Sequence, residues 1–539
     1  MKKLLIICLT LVFGVLLASC DNSAGASDQI DYLSIQELID MAKNNTATGG
    51  GSGEIEVTGT PNFDVPANAY NGEAVEIRFY HTMGTNLRTE LEKGIAEFNK
   101  LYPNITIKHE QAGGYDDVRT RIATELTAGA EPNIAYCYPD HVALYNLQNA
   151  VVTVDNLANS TQVITRADGS TEILGFTEAQ KADFIQGYYN EGRQFGDGLT
   201  YSLPFSKSTE VLYYNKTFFL EHFPLTDEEG NIVDVDSDTE GVQRQEVLPT
   251  HWFSESADDK LSLEYYCRKI KEIDQNCIPL GYDSESNLFI TMCEQLGSGY
   301  TTLASDENFI FDNNANKTFA REFRNWYRQG LMTTQEIYGA YTSGLFVSQD
   351  PEKGRSYMSI GSSAGATHQL PEKGENGYPF EVGIATIPQM NPANPKVISQ
   401  GPSLCIFKKS NTVEVIASWL FAKFLTTNFK FQASFSMASG YVPVIKSVLE
   451  ESEDNVYYTD FLKLRDGGDN IAALSAWVCL QQEAAYYTSP AFNGSSKARD
   501  EVGLLLQSIM VGNAADESAL NKLINRAFRD AIRNCKASQ

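Results

Sequence analysis

Between Tyr201 and Asn215 the chain reads YSLPFSKSTEVLYYN, and this stretch decides how the halves of the sequence are joined. Pro204 fixes its own φ and biases Leu203 toward extended backbone, so no helix runs through this point. Hydroxyls at Ser206, Ser208 and Thr209 precede the apolar run Val211–Tyr214. A strand that enters with small polar groups and leaves with bulky ones suits a crossing between two lobes that also lines the gap between them. On local grounds alone an ordinary strand with a polar start is the simpler reading. The build of the flanking halves decides for the crossing.

At 539 residues the chain is too long for one core, so two or more lobes are expected. A hydrophobic fraction of 42% and an aromatic fraction of 11% are enough for large interiors. The net charge is −27, from 42 basic and 69 acidic residues, which argues against a nucleic-acid partner because phosphate neutralisation needs clustered Lys and Arg.

Lys2 and Lys3 precede an apolar run from Leu4 to Ala18, short for a membrane span but right for a signal peptide over residues 1–19. The run ends Leu17-Ala18-Ser19-Cys20, which resembles a bacterial lipobox. Acyl chains on Cys20 would anchor the protein to the membrane on its outer side; a free cysteine after the leader is the plainer alternative. Apart from Cys8 in the leader, seven further cysteines are scattered without a CxxC pair, so no zinc or redox motif is supported. They read as small core residues, with a Cys267–Cys277 bridge left open. No cofactor is implied.

Residues 20–72 are rich in Gly, Ser, Asn, Thr and Asp, with GGGSG at Gly49–Gly53, and predict a flexible tether. Ile35–Ala42 could form a short helix within it, and Glu54–Thr58 a short strand. From Ala74 the pattern becomes rhythmic. Val75, Ile77 and Phe79 alternate with polar residues; a helical face follows at Leu87, Leu91, Ile95, Phe98 and Leu101; Pro103 stops it; Ile105 and Ile107 open another strand. This is a βαβ unit, with a right-handed crossover. In such sheets ligands sit at the carboxyl ends of strands, here Tyr80–Thr82 and Tyr138–His141.

Beyond the crossing, residues 225–247 form an acidic insertion. Its Asp234-x-Asp236-x-Asp238 spacing has the look of a calcium loop, but Gly241 is not at the sixth position and no Glu fills the twelfth, so a solvated acidic segment is expected. Strands are predicted at Tyr357–Ile360, Val382–Ile387 and Leu404–Phe407, and helices through Leu420 and through Leu505 and Leu523.

Several short pieces resemble one family. They are Phe79-Tyr80-His81-Thr82-Met83, Phe98-Asn99-Lys100-Leu101-Tyr102-Pro103, Glu131-Pro132-Asn133-Ile134, Leu203-Pro204-Phe205 before Tyr213-Tyr214-Asn215-Lys216, Trp419 through Leu425, and Ser439-Gly440-Tyr441-Val442-Pro443. Their order from Ala74 to about Leu506 resembles the family 1 extracellular solute-binding proteins of ABC importers, the group that includes maltose-binding and glycerol-phosphate-binding components. The resemblance implies an α/β fold of type II. Each of its two lobes is a mixed sheet flanked by helices, and crossing strands join them into a clamshell. One lobe would span 73–207 plus 391–444, the other 208–390 plus 445–539.

The resemblance places Tyr80, His81, Thr82, Tyr115, Tyr138 and Asp140 on one wall of the cleft. Ser206 and Ser208 come from the crossing, and Ser362 and Ser363 from a Gly-Ser-Ser turn. Gly401, Tyr441 and Arg499 complete the wall, and Trp252 is a weaker candidate. Tyrosine rings stack on the C–H faces of a sugar, and desolvated hydroxyls need donors and acceptors. A phosphate would want backbone N–H groups and an Arg fork. The ligand is therefore expected to be a mono- or oligosaccharide, with glycerol 3-phosphate or a related polyol phosphate as the alternative. The implied partners are the permease subunits of an ABC transporter.

Gly361-Ser362-Ser363-Ala364-Gly365 matches the G-x-S-x-G pattern of a hydrolase nucleophile elbow. The last histidine, His368, lies five positions on with no acid between, so the triad order fails and no enzymatic activity is expected. A lipid-anchored adhesin or scaffold that keeps the fold without a ligand is the remaining alternative.

Overall fold

A computed structural model describes residues 29–46, 55–226, 232–233, 245–348, 354–450, 456–467 and 470–539. Cys20 and the GGGSG run lie outside the described residues, as does most of the acidic insertion. Where that insertion is described, Leu225–Thr226 pairs antiparallel with Ile232–Val233 and with Gln245–Glu246.

Ten strands build two five-stranded sheets. In chain order they are β1 (Val75–His81), β2 (Ile105–Gln111), β3 (Ile134–Cys137), β4 (Leu203–Pro204), β5 (Glu210–Asn215), β6 (Leu280–Tyr282), β7 (Met332–Thr334), β8 (Met358–Ser362), β9 (Val382–Thr386) and β10 (Ser403–Ile406). The first sheet runs β2-β1-β3-β10-β4 and the second β7-β6-β8-β5-β9. Strands β1, β2 and β3 are parallel, whereas β10 pairs antiparallel with both β3 and β4. The second sheet repeats this plan, parallel at β7, β6 and β8 and antiparallel through β5. Each sheet is thus mixed, as expected. The antiparallel strands are those next to the crossings, where the chain returns from the other lobe.

The periodicity of the first βαβ unit is used as the sequence predicts. Ile77 and Phe79 are fully buried, and the helix Thr85–Leu101 turns Leu91 and Phe98 into the core. Gly94 lies on the same face, and a Cβ there would stand 2.6 Å from the Phe431 ring. The glycine therefore lets the helix Phe429–Ser439 pack closely against this one.

The expected tether needs correction. Within 20–72, residues 29–46 and 55–72 are packed against the body. The helix Ile35–Asn44 is fixed by a capping box, with Glu37 N donating to Ser34 Oγ at 3.2 Å and Ser34 N to Glu37 Oε2 at 2.7 Å. Its Leu38, Ile39 and Ala42 are buried. Around it Tyr32 donates to Asn521, Leu33 N to Thr318 and Asn45 to the Glu294 carbonyl, all on the lobe of the second sheet. Residues 55–72 lie instead on the first lobe, where Thr58 N and Gly59 N donate to the Asp197 carbonyl and Gln162 to that of Pro66. Residues 55–58 form no strand. Polar composition concealed an amphipathic turn pattern.

Three segments cross side by side between the lobes. Lys207 N donates to Val442 O at 3.1 Å and Val442 N to Lys207 O at 2.7 Å. On the other flank, Ser208 and Gln400 exchange backbone hydrogen bonds of 3.0 and 2.9 Å. Gly401 has a φ of +89°, and a Cβ there would strike the Ser206 carbonyl at 2.3 Å, so the close approach requires glycine.

At the centre of this waist Lys207 Nζ lies 2.6 Å from Glu191 Oε1, with both side chains essentially without exposure. The same ammonium donates to Gly401 O and Ser403 Oγ, each at 3.2 Å. Ser399 Oγ donates to Glu191 Oε2 at 2.8 Å. Removing one partner of such a pair strands a charge in a dry interior. We expect Lys207→Met to lower the unfolding free energy by roughly 3–5 kcal/mol in urea denaturation, and addition of Glu191→Leu to restore most of the loss. A single-variant loss below about 1 kcal/mol would show that the pair does not organise the waist.

Candidate functional site

Between the sheets lies a cavity of about 540 Å³. The first lobe lines it with Tyr115, Tyr138 and Tyr441, and the waist with Ser208, Glu210 and Gln400. The second lobe contributes Asp283, Ser284 and Asn287, then Gln335 and Tyr341, and the turn from Ser362 to Gln369 with His368. A side chamber of about 200 Å³ adds Arg119, His141 and Arg499. A smaller recess of about 40 Å³ runs along Asp140, Glu191, Tyr300 and Ser399.

These positions follow from the fold. Tyr138 stands directly after β3 and Asp283 directly after β6, at carboxyl ends of parallel strands. Tyr115 opens the helix Tyr115–Ala128, and its ring lies 4.7 Å from that of Tyr138. The Tyr115 and Tyr441 hydroxyls are 3.5 Å apart. Ser284 caps the helix Glu285–Leu296 and holds a φ of +78°, unusual for a residue other than glycine. That strained turn presents Ser284 and Asn287 to the cavity.

The lobes meet along one rim. Arg119 donates to Ser496 Oγ at 2.7 Å and, at 3.3 Å from each of two nitrogens, to the carboxylate of Asp500. Beside it Arg499 Nε stands 3.7 Å from Asp140 Oδ2, and Arg499 Nη1 donates to Asn287 Oδ1 at 2.6 Å. Burial works against the charge of Arg499, but Asp140, Tyr300, Tyr138 and Tyr487 outweigh it and raise its pKa.

The expected residues divide into groups. Tyr115, Tyr138, Ser208, Ser362 and Tyr441 line the main cavity, and Asp140 and Arg499 the adjoining chambers. Thr82 is near the Tyr115 hydroxyl but does not line these chambers. The others stand elsewhere. Tyr80 is buried under Arg121, whose guanidinium sits 4.3 Å over its ring and donates to its hydroxyl. His81 is fully buried, pairs with His109 at 3.0 Å and accepts from Met83 N. Burial, then the neighbouring His109 and Arg88, lower its pKa to about 3, so it is neutral.

Trp252 is a core residue whose indole donates to Gln295. Ser206 and Gly401 belong to the packed waist rather than to the cavity lining. Ser363, the serine of the G-x-S-x-G match, is fully buried and accepts from Thr209 N at 3.2 Å, facing away from the cleft. The seven described cysteines are all buried and unpaired, so the open question of a Cys267–Cys277 bridge closes on free thiols.

Sequence reasoning missed Glu210, Asp283, Asn287, Tyr341 and Gln400. Glu210 carried a signal, being a lone acid at the head of an apolar strand. Its Oε2 accepts from Tyr282 at 2.7 Å, and the residue is 1% exposed. Burial pushes its carboxyl up to about 7, more than Tyr282, Asn287 and Arg499 can offset, and Asp283 adds to the rise.

Two mixed sheets, three crossings and a polar, tyrosine-lined cleft define a two-lobed ligand-binding protein of the type II clamshell class. The family profile described as bacterial extracellular solute-binding protein matches residues 93–460, and the chain belongs to that family. The sn-glycerol-3-phosphate-binding periplasmic protein UgpB of Salmonella paratyphi A is 26% identical over 154 residues, which is 28% of this chain and about a third (32%) of that relative. UgpB of Mycobacterium tuberculosis in complex with glycerophosphocholine superposes with a TM-score of 0.60 at 16% identity, over 86% of this chain and 99% of that one. The cyclic alpha-maltosyl-1,6-maltose binding protein of Arthrobacter globiformis gives 0.58 at 17%, over 86% and 100%. Identities this low establish the shared fold.

The raised Glu210 carboxyl has a stability consequence. Its folded pKa exceeds the ordinary carboxylate value of 4.5, so the folded state holds the proton more tightly. The contribution is fully present below pH 4.5 and is lost as pH rises through about 7. Glu210→Gln should therefore be more stable than the parent at pH 8, by up to roughly 3 kcal/mol, and about equal near pH 5. Calorimetric Tm values at the two pH values test this; a constant offset would show that Glu210 does not titrate in this window.

Proposed function

We propose that this chain is the solute-binding component of an ABC importer, and that it captures a carbohydrate between its lobes without chemical change and hands it to a permease. The observation that carries the ligand class is the make-up of the main cavity. Tyrosines, amides, hydroxyls, two carboxylates and one imidazole, His368, line it, and among the described residues none of the lining side chains is Lys or Arg. Tyrosine rings offer faces for sugar C–H groups, while amides and carboxylates take the hydroxyls.

A polyol phosphate finds less support. Lys207 is consumed by Glu191, and His81 is neutral and buried inside the first lobe. Arg499 lines the side chamber and already faces Asp140 and Asn287. Relatives named for glycerol 3-phosphate keep that ligand class in the test. The signal peptide and Cys20 support export and lipid anchoring on the outer side of the cell membrane.

A thermal-shift screen against mono- and oligosaccharides, glycerol 3-phosphate and glycerophosphodiesters tests the reading. A true ligand at a hundredfold excess over its Kd stabilises by about 2.7 kcal/mol, and a flat response would favour a scaffold. Tyr441→Ala should weaken a saccharide by about 0.5–1.5 kcal/mol, some two- to tenfold in Kd by calorimetry. Arg499→Ala should weaken a neutral ligand and abolish an anionic one. Separately, Cys20→Ser should move the protein from the membrane fraction to the soluble fraction; retention at the membrane would refute the anchor.

A further inference from the structure

We propose that the solute carries a positively charged amine that docks against Glu210 and Asp283, so that the ligand class is amino sugars rather than neutral ones; this rests on the carbohydrate reading and narrows it. Glu210 opens β5, where the first crossing ends, and lines the main cavity. Only one of its carboxylate oxygens is used. Oε2 takes the Tyr282 hydroxyl, while Oε1 is sealed from solvent and no hydrogen bond of good geometry reaches it among the described residues. Asn287 lies close enough to favour the charged form.

Asp283 stands on the same wall. Its Oδ1 is occupied by Thr342 N and Thr342 Oγ1, each at 2.8 Å. Its Oδ2 lies 3.0 Å from where a Cβ on Gly361 would sit, so glycine at that position leaves the oxygen uncrowded. The two acids are near enough for the charge of Asp283 to act on Glu210.

A desolvated carboxyl either holds a proton or takes a counter-charge; Arg499 acts on Glu210 from the side chamber and His368 lines the same cavity, but no hydrogen bond from either reaches Glu210 Oε1. Arg499 is bound to Asn287 and faces Asp140, and Arg119 is bound to Ser496 and Asp500. A sugar hydroxyl would donate one hydrogen bond to Oε1 and leave the charge unmatched. An ammonium brings the charge and three donors. The rings of Tyr115, Tyr138, Tyr341 and Tyr441 line the same space and favour a cation over their faces. Gln335, Gln400 and the Oε1 of Gln369, whose amide nitrogen donates to Ser359, remain for the hydroxyls, which fits an amine carried on a saccharide.

Isothermal titration at neutral pH with three matched sets decides the matter: glucosamine and galactosamine with their short oligomers, the same sugars N-acetylated, and the same sugars with hydroxyl in place of the amine. The expected result is that an amine-bearing member binds at least tenfold tighter than both its counterparts. Glu210→Gln and Asp283→Asn should each reduce that preference severalfold while weak binding of the neutral counterpart persists, which also shows that the variants fold. Equal or tighter binding of the acetylated or neutral sugar overturns the proposal but leaves the carbohydrate reading standing. So does a preference that survives both substitutions. No binding in any set overturns both.

Discussion

Lys207 and Glu191 form a buried ion pair at the one place where three backbone segments pass between the lobes. Isolated charges in such a position are costly, and this pair is tolerated because nearly every donor and acceptor is used: Gly401 O, Ser403 Oγ and Ser399 Oγ complete the set. The pair ties the 203–209 crossing to the 398–403 crossing through side chains, while Lys207 and Val442 tie the third through backbone. Glu191 also borders the recess beside the cleft. The element that fixes how the lobes join therefore touches the space where a ligand would sit.

The N-terminal segment adds a second link. The helix Ile35–Asn44 sits on the lobe of the second sheet, and residues 55–72 lie on the first. Both attachments are specific. A buried Leu38 and the Asn45–Glu294 contact hold one end, and paired amides on the Asp197 carbonyl hold the other. The match to the family profile runs over residues 93–460, so this brace lies outside the matched residues.

Periodicity made most of the scaffold legible. Val75, Ile77 and Phe79 announced β1, Pro103 ended the first helix, and Leu203-Pro204 marked the crossing. The site was less legible because a residue type does not say which way its side chain points. Tyr80 and Tyr138 both stand at the carboxyl end of a strand, yet Tyr80 turns under Arg121 while Tyr138 faces the cleft. His81, one position on, turns inward to His109. A strand alternates its faces, so a one-residue difference in where the loop begins exchanges core for cleft. Glu210 and Asp283 were missed for a different reason. Their role depends on distant segments meeting, which a linear reading cannot bring together. The tether was misread because composition rich in Gly, Ser and Asn outweighed the small apolar face of Leu38, Ile39 and Ala42.

Where the charges sit explains what the cleft can select. Cationic side chains near the ligand space are spent on structure: Lys207 at the waist, Arg119 on the rim, Arg499 against Asp140. Carboxylates are treated differently. Glu191, Asp500 and Asp140 face these cations, whereas among the described residues no Lys or Arg hydrogen-bonds to Glu210 or Asp283, which share the cavity with His368. A cleft built for a phosphate would reverse this arrangement, leaving guanidinium groups open and neutralising the acids. The overall negative charge of the chain acts in the same direction, raising the local concentration of cations over that of anions before any contact is made. On the proposed reading, anionic solutes would be disfavoured twice, at long range by net charge and at contact by Glu210 and Asp283.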